Sequence, residues 1–581
     1  MLVLLLNGCK TGNFHEETVG HGSQKNVVNN SEAAKPEKKD TNADKTGTVG
    51  NSTVSPKPDA PVASDTIAVE VNFTIDSGSG KHLISPYVYG LNELKFDSTG
   101  PRGIRFVRQG GNRLSAYNWE NNASNSGSDW YNQNDGMLGN TNTPGNYPVD
   151  FVKTAFSHSA AALITVPMIG YVAADKGPKG DVNNTPDYLS KRFHISKAKK
   201  GASFSMTPNQ NDRFVYQDEF VHFMEKMFPD ARSTPATELF YSLDNEPALW
   251  ATTHPRLRGE EKGRSGKQVT YAELMKKTIE YASAIKKVAP DAKIFGPALY
   301  GYTAFVNLQN APDANGRDFI EFYLQQLAKA EKEKGLRLVD VLDVHWYPEV
   351  SVPGVGRIHS SKKADPQLEK ERIQAPRSLW DKNYMEKSWI TQNYLHNPIA
   401  LLPDLQDKID TYYPGTRIAI TEYQYGGGND MSGAIAQADV LGIFGRENLF
   451  AATLWKMGKA PQDFLWGAFE MFTSYNPKGD KFGDLSVDAK SSDVEKSSIY
   501  AALDTTTGGK RMTVILINKA ETAVRAGVSI VHDEKFSSAD VYQLTSADSN
   551  PRKAASIDVS NGNAFEYGMP ARSISLIELN I

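Results

Sequence analysis

The chain has 581 residues, a formal net charge of −4, 10% aromatic residues and a single cysteine. That length exceeds one compact unit, so two folded domains plus polar connecting sequence are expected. The small net charge argues against a polyanion binder, so no nucleic-acid partner is expected, and one cysteine excludes internal disulfides and cysteine-based metal sites.

Leu2-Val3-Leu4-Leu5-Leu6 precede Asn7-Gly8-Cys9. A short apolar run, a small residue and then a cysteine resemble a lipobox, although the run is too short to cross a bilayer and no basic segment precedes it. The expectation is a lipoprotein-type signal remnant over residues 1–9. The protein would then be an exported bacterial one, held at the cell surface through a lipid on Cys9 or otherwise secreted; a chance apolar start is the competing reading. Residues 10–65 are rich in Asn, Ser, Thr, Lys, Glu, Gly and Pro. They cannot bury enough apolar surface to offset chain entropy and read as a disordered polar linker.

Ile67 to Ile75 alternate apolar and polar residues, the mark of a half-buried strand. Residues 66–86 are assigned to a strand that joins a C-terminal domain. Eight apolar strand runs follow, namely Val88–Leu91, Ile104–Arg108, Ala162–Ile169, Leu239–Leu243, Lys293–Gly296, Val341–His345, Ile418–Glu422 and Ala451–Trp455. Helical periodicity separates most of them. One helix carries Tyr271, Leu274, Ile279, Ala282, Ile285 and Val288 on a single face and stops at Pro290; another is expected to start at an N-cap Ser432. Alternating apolar strands and helices predict an α/β fold with a parallel sheet covered on both sides. Over 87–475 this fits a (β/α)8 TIM barrel with long insertions at 171–215 and 351–415, an open doubly wound sheet being the rival. Short strands spaced by turns over 476–581 predict an antiparallel β-sandwich.

Two of the strand runs end in a glutamate. Leu239 to Leu243 leads into Asp244-Asn245-Glu246-Pro247, and Arg417 to Thr421 leads into Glu422-Tyr423. Glycosidic hydrolysis with retention needs one carboxylic acid to protonate the leaving oxygen and one carboxylate to attack the anomeric carbon. Glu246 suits the first role and Glu422 the second, against plainer readings as a loop glutamate and a structural buried one. Asn245 is placed to hold a sugar 2-hydroxyl. Tyr423 is placed to donate to the nucleophile, and the glycines at 426–428 to let backbone approach a ligand. Arg105 and Arg108, on the strand before Gly110-Gly111-Asn112, are both candidates to sit under Glu422. His345-Trp346-Tyr347 and Trp455 close strands and are candidates to orient the nucleophile or stack a sugar, because barrel active sites lie at the C-terminal ends of the strands. Trp119, Trp130 and Trp250 are candidate subsite floors. No cofactor is required; a structural calcium at Asp129 and Asp135 is compatible with the sequence, but no spacing demands it and the metal content is unknown.

Tyr241 to Trp250 with Thr253-His254-Pro255-Arg256, Ile420 to Gly428 continuing through Ala436 to Glu447, and Gly110-Gly111-Asn112 followed by Tyr117 to Asn122 together resemble glycoside hydrolase family 44. The likeness covers roughly residues 67–581. It implies a clan A barrel with a β-sandwich, retaining endo-hydrolysis of β-1,4-glucans including xyloglucan, Glu246 as acid/base and Glu422 as nucleophile. A monomer acting on a β-glucan polysaccharide is expected. An exo-acting β-xylosidase or arabinofuranosidase, and a non-catalytic glycan-binding lipoprotein, are the alternatives.

Overall fold

Short runs of leucine and aromatic residues buried on both faces, such as Leu239–Leu243, can form strands only where helices cover the sheet outside and side chains fill it inside. In a computed structural model of the protein, residues 68–581 are described, apart from 93–95, 97–99, 126, 178–180, 260–264, 361–363, 457–460 and 560–561. The lipobox-like start and the polar stretch to residue 65 lie outside the described residues.

After a first strand, β1 (Val71–Asp76), come β2 (Gly90–Asn92), β3 (Phe106–Arg108), β4 (Ala161–Val166), β5 (Leu239–Leu243), β6 (Ile294–Leu299), β7 (Val341–Trp346), β8 (Arg417–Tyr423) and β9 (Ala451–Leu454). Strands β2 to β9 pair in parallel and close into a barrel, which settles the choice between barrel and open sheet. Seven helices follow β3 to β9 in turn: α1 (Asn146–Ser157), α2 (Gln217–Met227), α3 (Tyr271–Val288), α4 (Phe319–Lys334), α5 (Leu401–Tyr412), α6 (Met431–Arg446) and α7 (Asp463–Thr473).

The N-terminal end of the barrel is plugged by Phe106, Phe240, Phe295, Val341 and Phe450 around Tyr87. The Tyr87 ring stands edge-on to Phe240 at 5.4 Å and to Phe450 at 5.6 Å. This apolar floor confines polar interior residues to the opposite, C-terminal end.

Thr270 caps α3 by accepting from Glu273 N at 3.0 Å. The cap of α6 differs from expectation. Asp430 accepts from Ser432 N at 2.9 Å and from Gly433 N at 3.3 Å, so Ser432 lies inside the helix. A carboxylate satisfies two free amides at once and opposes the helix dipole, which a hydroxyl does less well. Every residue of α6 from Met431 to Gly445 is buried because the helix lies between the barrel and the β-sandwich. Asp439 of α6 accepts from Tyr500 at 2.6 Å and pairs with Lys519 at 2.8 Å, both from the sandwich.

The sandwich comprises β1 with β10 (Leu485–Ser491), β11 (Ser497–Leu503), β12 (Arg511–Asn518), β13 (Val524–Val531), β14 (Ser538–Thr545), β15 (Asp548–Lys553), β16 (Ala564–Met569) and β17 (Ser573–Asn580). Residues 485–487 of β10 pair with β11 while 488–491 pair with β1, so one strand belongs to both layers. The early strand β1 also runs parallel to β13 and buries Val71, Phe73 and Ile75 in the sandwich core.

Candidate active site

The turn that carries Glu246 is held in an unfavourable backbone conformation. Asp244 and Glu246 have φ of 64° and 43°, a left-handed geometry that costs a non-glycine residue about 1–2 kcal/mol. Hydrogen bonds offset it. The buried Asp244 carboxylate accepts from Ser115 Oγ at 2.5 Å, Asn245 N at 2.7 Å and Ile169 N at 3.0 Å, and also from Met168 N. Glu246 N donates to Ala298 O at 3.0 Å. The end of β5 is thereby tied to the ends of β4 and β6.

Glu422 reaches the interior through a β-bulge. Val344 of β7 pairs with Ile420 of β8, but His345 pairs with Glu422, so β8 takes one extra residue. Ala419 and Thr421 face inward by ordinary alternation, and the bulge turns Glu422 inward as well. Its Oε1 accepts from Arg108 Nη1 at 2.7 Å and its Oε2 from the Tyr347 hydroxyl at 2.9 Å. The ion pair is buried, with the Arg108 side chain 0% and that of Glu422 7% exposed, so both contacts are of the strong, charge-assisted kind. Burial keeps the Tyr347 phenol well above its usual range and hence a donor.

Arg108 is the hub. Nη1 also donates to Asn92 Oδ1 at 3.1 Å, and Nη2 donates to Asn245 Oδ1 at 2.7 Å. Asn245 in turn donates to Asn112 at 3.2 Å. A Cβ on Gly110 would collide with the guanidinium, and one on Gly111 would come within 2.8 Å of the Trp455 indole, which explains the paired glycines. His345, fully buried, places Nδ1 2.8 Å from Glu246 Oε1 and 3.6 Å from Glu422 Oε2. Burial lowers it to about 3, so the ring between the carboxyls is neutral. One carboxylate oxygen of Glu246 lies within 4.8 Å of one of Glu422.

Glu246, Glu422, Asn245, Arg108, His345 and Tyr347 therefore converge, with the half-buried Trp455 beside them. Five expected residues do not. Trp119 packs on Phe220 and Phe223 of α2 in the core. Trp250 is fully buried, and Trp346, one step out of phase with His345, points outward onto Phe305. Tyr423 also points outward, where it accepts from Gln437 at 2.9 Å and stands edge-on to Phe444 of α6. Once the bulge has turned Glu422 inward, its successor must face out. Arg105 is exposed and donates to Ser159 O, leaving Arg108 as the partner of Glu422.

The 426–428 glycines serve the protein's own packing, since a Cβ on Gly427 would come within 2.8 Å of Gly433 N in α6. Asp135 is committed to Arg113 at 2.5 Å and to Met137 N at 2.9 Å; the Asp129 side chain lies outside the described atoms.

A rim feature escaped the sequence reading. Trp389 and Tyr394, 37% and 50% exposed, stand edge-on to one another and to Tyr302 at 5.9–6.4 Å. The Trp389 indole donates to Glu349 at 3.0 Å, four residues past His345. Two tryptophans in a long insertion, Trp380 and Trp389, were the available signal. On the opposite rim, half-buried Trp130 and exposed Tyr131 lie near the 250–253 helix, where Ser128 donates to Thr252 O at 2.6 Å.

A family model described as glycoside hydrolase family 44 matches residues 123–350. Endoglucanase A of Paenibacillus lautus is 39% identical over 526 residues, spanning 88% of this chain and 73% of that protein. A family 44 xyloglucanase of Paenibacillus polymyxa, solved with xyloglucan, superposes with a TM-score of 0.81 at 36% identity, covering 88% of this chain and 99% of that one. The family 44 endoglucanase of Clostridium thermocellum gives 0.80 at 41% identity, covering 88% and 100%. With a buried Arg–Glu pair, a second glutamate beside it and this breadth of likeness, the chain belongs to glycoside hydrolase family 44.

Proposed function

We propose that this protein is a retaining, endo-acting β-1,4-glucanase that cleaves cellulose-like glucans, xyloglucan or both by double displacement. The observation that carries it is the short spacing of the two carboxyls, with an oxygen of each within 4.8 Å. Retaining enzymes hold them about 5–5.5 Å apart, whereas inverting ones need about 6.5–9.5 Å to admit a water between them. Relatives named endoglucanase and xyloglucanase support the endo-acting reading over the exo-acting one. A glycan-binding protein would need neither glutamate.

In this reading Glu422 attacks the anomeric carbon as Glu246 gives its proton to the departing oxygen. A covalent glycosyl-enzyme forms and the aglycone leaves as the alcohol. Glu246, now a carboxylate, takes a proton from water; the resulting hydroxide equivalent displaces Glu422 and releases the sugar. Arg108 and Tyr347 hold the two Glu422 oxygens, and Asn245 is set for the 2-hydroxyl. Trp455 floors the cleaved sugar, and the Trp389–Tyr394 cluster offers rings for neighbouring sugars. No step calls for a cofactor.

Viscosity loss and reducing-sugar release on carboxymethylcellulose and tamarind xyloglucan test the function. Rapid viscosity loss that Glu246→Gln and Glu422→Gln both abolish is expected; activity surviving either substitution would mean other carboxylates act.

The division at residues 86/87 and 475/476, a monomeric state and a lipid on Cys9 complete the reading. The last rests on the Leu2–Leu6 run before Cys9; incorporation of labelled palmitate, lost in Cys9→Ala, is its test.

A further inference from the structure

Beneath the two glutamates the barrel holds a third carboxyl that the reaction does not use. Asp343 lies two residues before His345 on β7, so both side chains point inward, and it is fully buried. Its Oδ1 accepts from Thr421 Oγ1 at 2.7 Å, while Oδ2 has no hydrogen-bond partner among the described residues. The groups facing it are Arg108 of β3, Thr421 and Glu422 of β8, His345 of its own strand and the Tyr323 phenol of α4.

Arg108 is the one cation among these, because burial keeps His345 neutral. Its Nη1 and Nη2 are given to Glu422 and Asn245, and its Nε has no partner among the described residues. One guanidinium set between two ionised carboxylates would leave a net negative charge in an interior without solvent, an expensive arrangement. A protonated Asp343 avoids it.

We propose that Asp343 is a positioning residue for the reaction: its carboxyl stays protonated so that Arg108 serves Glu422 alone, and its ionisation draws the guanidinium away and disables the nucleophile. The inference rests on the assignment of Glu422 as nucleophile. Burial pushes Asp343 up to about 7, against the opposing pull of Arg108. Each group keeps an unpartnered atom for the misdirected pair among the described residues, Oδ2 on Asp343 and Nε on Arg108. The two atoms do not meet while Nη1 holds Glu422 and Nη2 holds Asn245, so making that pair would shift Arg108 off both.

The test is inactivation by 2,4-dinitrophenyl 2-deoxy-2-fluoro-β-cellobioside, read by rate and by the mass of the labelled peptide. Dinitrophenolate departs without a proton, so Glu246 drops out of the pH profile and the rate reports attack by the nucleophile. Wild-type labelling should fall about tenfold per pH unit above the ionisation of Asp343. Asp343→Asn, which cannot ionise, should match wild type at about pH 6 and stay level for at least about one pH unit beyond the wild-type decline. The same alkaline decline in both proteins, or a pH-independent loss in Asp343→Asn, overturns the proposal. Label on a residue other than Glu422 overturns the nucleophile assignment beneath it. Should Asp343→Asn fail to fold, Thr421→Val removes the donor that favours ionised Asp343. Its decline should move to higher pH, and no movement or a move to lower pH contradicts the proposal.

Discussion

Thr421 and Glu422 are adjacent in the chain, yet both face the barrel interior, because β8 takes an extra residue where it passes His345. A bulge re-aims side chains locally at the expense of ladder regularity, and here it lets one strand supply both a support for Asp343 and the carboxylate above it. The same extra residue turns Tyr423 out of the site and leaves the hydroxyl contact on Glu422 to Tyr347, from the loop after β7.

The two tyrosines should therefore separate cleanly. A hydrogen bond to a charged group is worth about 1.5–3 kcal/mol, so Tyr347→Phe is expected to lower kcat on xyloglucan by about 10–100-fold. Tyr423→Phe should leave kcat unchanged and cost about 1 kcal/mol of stability through its lost contact with Gln437. Initial rates and thermal melts on both variants decide it; the reverse pattern would place Tyr423 in the site.

Arg108 makes contacts that depend on its fork, with Nη1 on Glu422 and Nη2 on Asn245. Lysine offers a point charge without that geometry. Arg108→Lys should lose about 10²–10³-fold in kcat, the scale seen when a preorganised donor is removed. Arg108→Met leaves a buried carboxylate unpaired and should destabilise the fold by about 3–5 kcal/mol in denaturant titrations.

If Trp389 stacks a sugar beyond the cleaved bond, its removal will be felt only by substrates long enough to reach it. Trp389→Ala should raise KM for xyloglucan roughly three- to tenfold, matching the about 0.5–1.5 kcal/mol of an aromatic contact. Hydrolysis of an aryl cellobioside should be unaffected. Equal losses on both substrates would make Trp389 a structural residue of the 351–415 insertion.

Glu120 gives a pH prediction for stability. Burial, with Asp212 and Glu219 nearby, raises it to about 8. Its folded value lies above its unfolded one, so the stability it contributes is complete below about pH 4 and is lost as pH rises through about 8. Glu120→Gln should therefore melt higher than wild type at alkaline pH, with the advantage shrinking toward about pH 4. Parallel melting curves across that range would show that Glu120 is ionised in the native state.

The barrel was legible in the chain because strands covered by helices must be continuous apolar runs, and all eight occur where those runs do. The 271–288 helix was legible from its one-faced pattern. The sandwich was only partly so. Leu485–Ser491 and Asp548–Lys553 are polar or irregular, and Ser497–Leu503 carries no clean alternation.

At the site, strand ends announced Glu246, Glu422, Arg108 and His345. A bulge leaves no periodic trace, so Tyr423 was expected inside; Trp346 was grouped with His345 although plain alternation along β7 turns it outward. Loop tryptophans such as Trp119 and Trp250 read alike whether they floor a groove or fill a core, because only the tertiary partner, here Phe223 or the buried 250–253 turn, distinguishes them.

The most direct test of the account is the stereochemistry of hydrolysis, followed by ¹H NMR at the anomeric proton as a β-1,4-linked cello-oligosaccharide is cleaved. Carboxyl oxygens within 4.8 Å predict that the β-anomer appears first and the α-anomer only later by mutarotation. First appearance of the α-anomer would mean single displacement by water, and Glu422 could not then be the nucleophile.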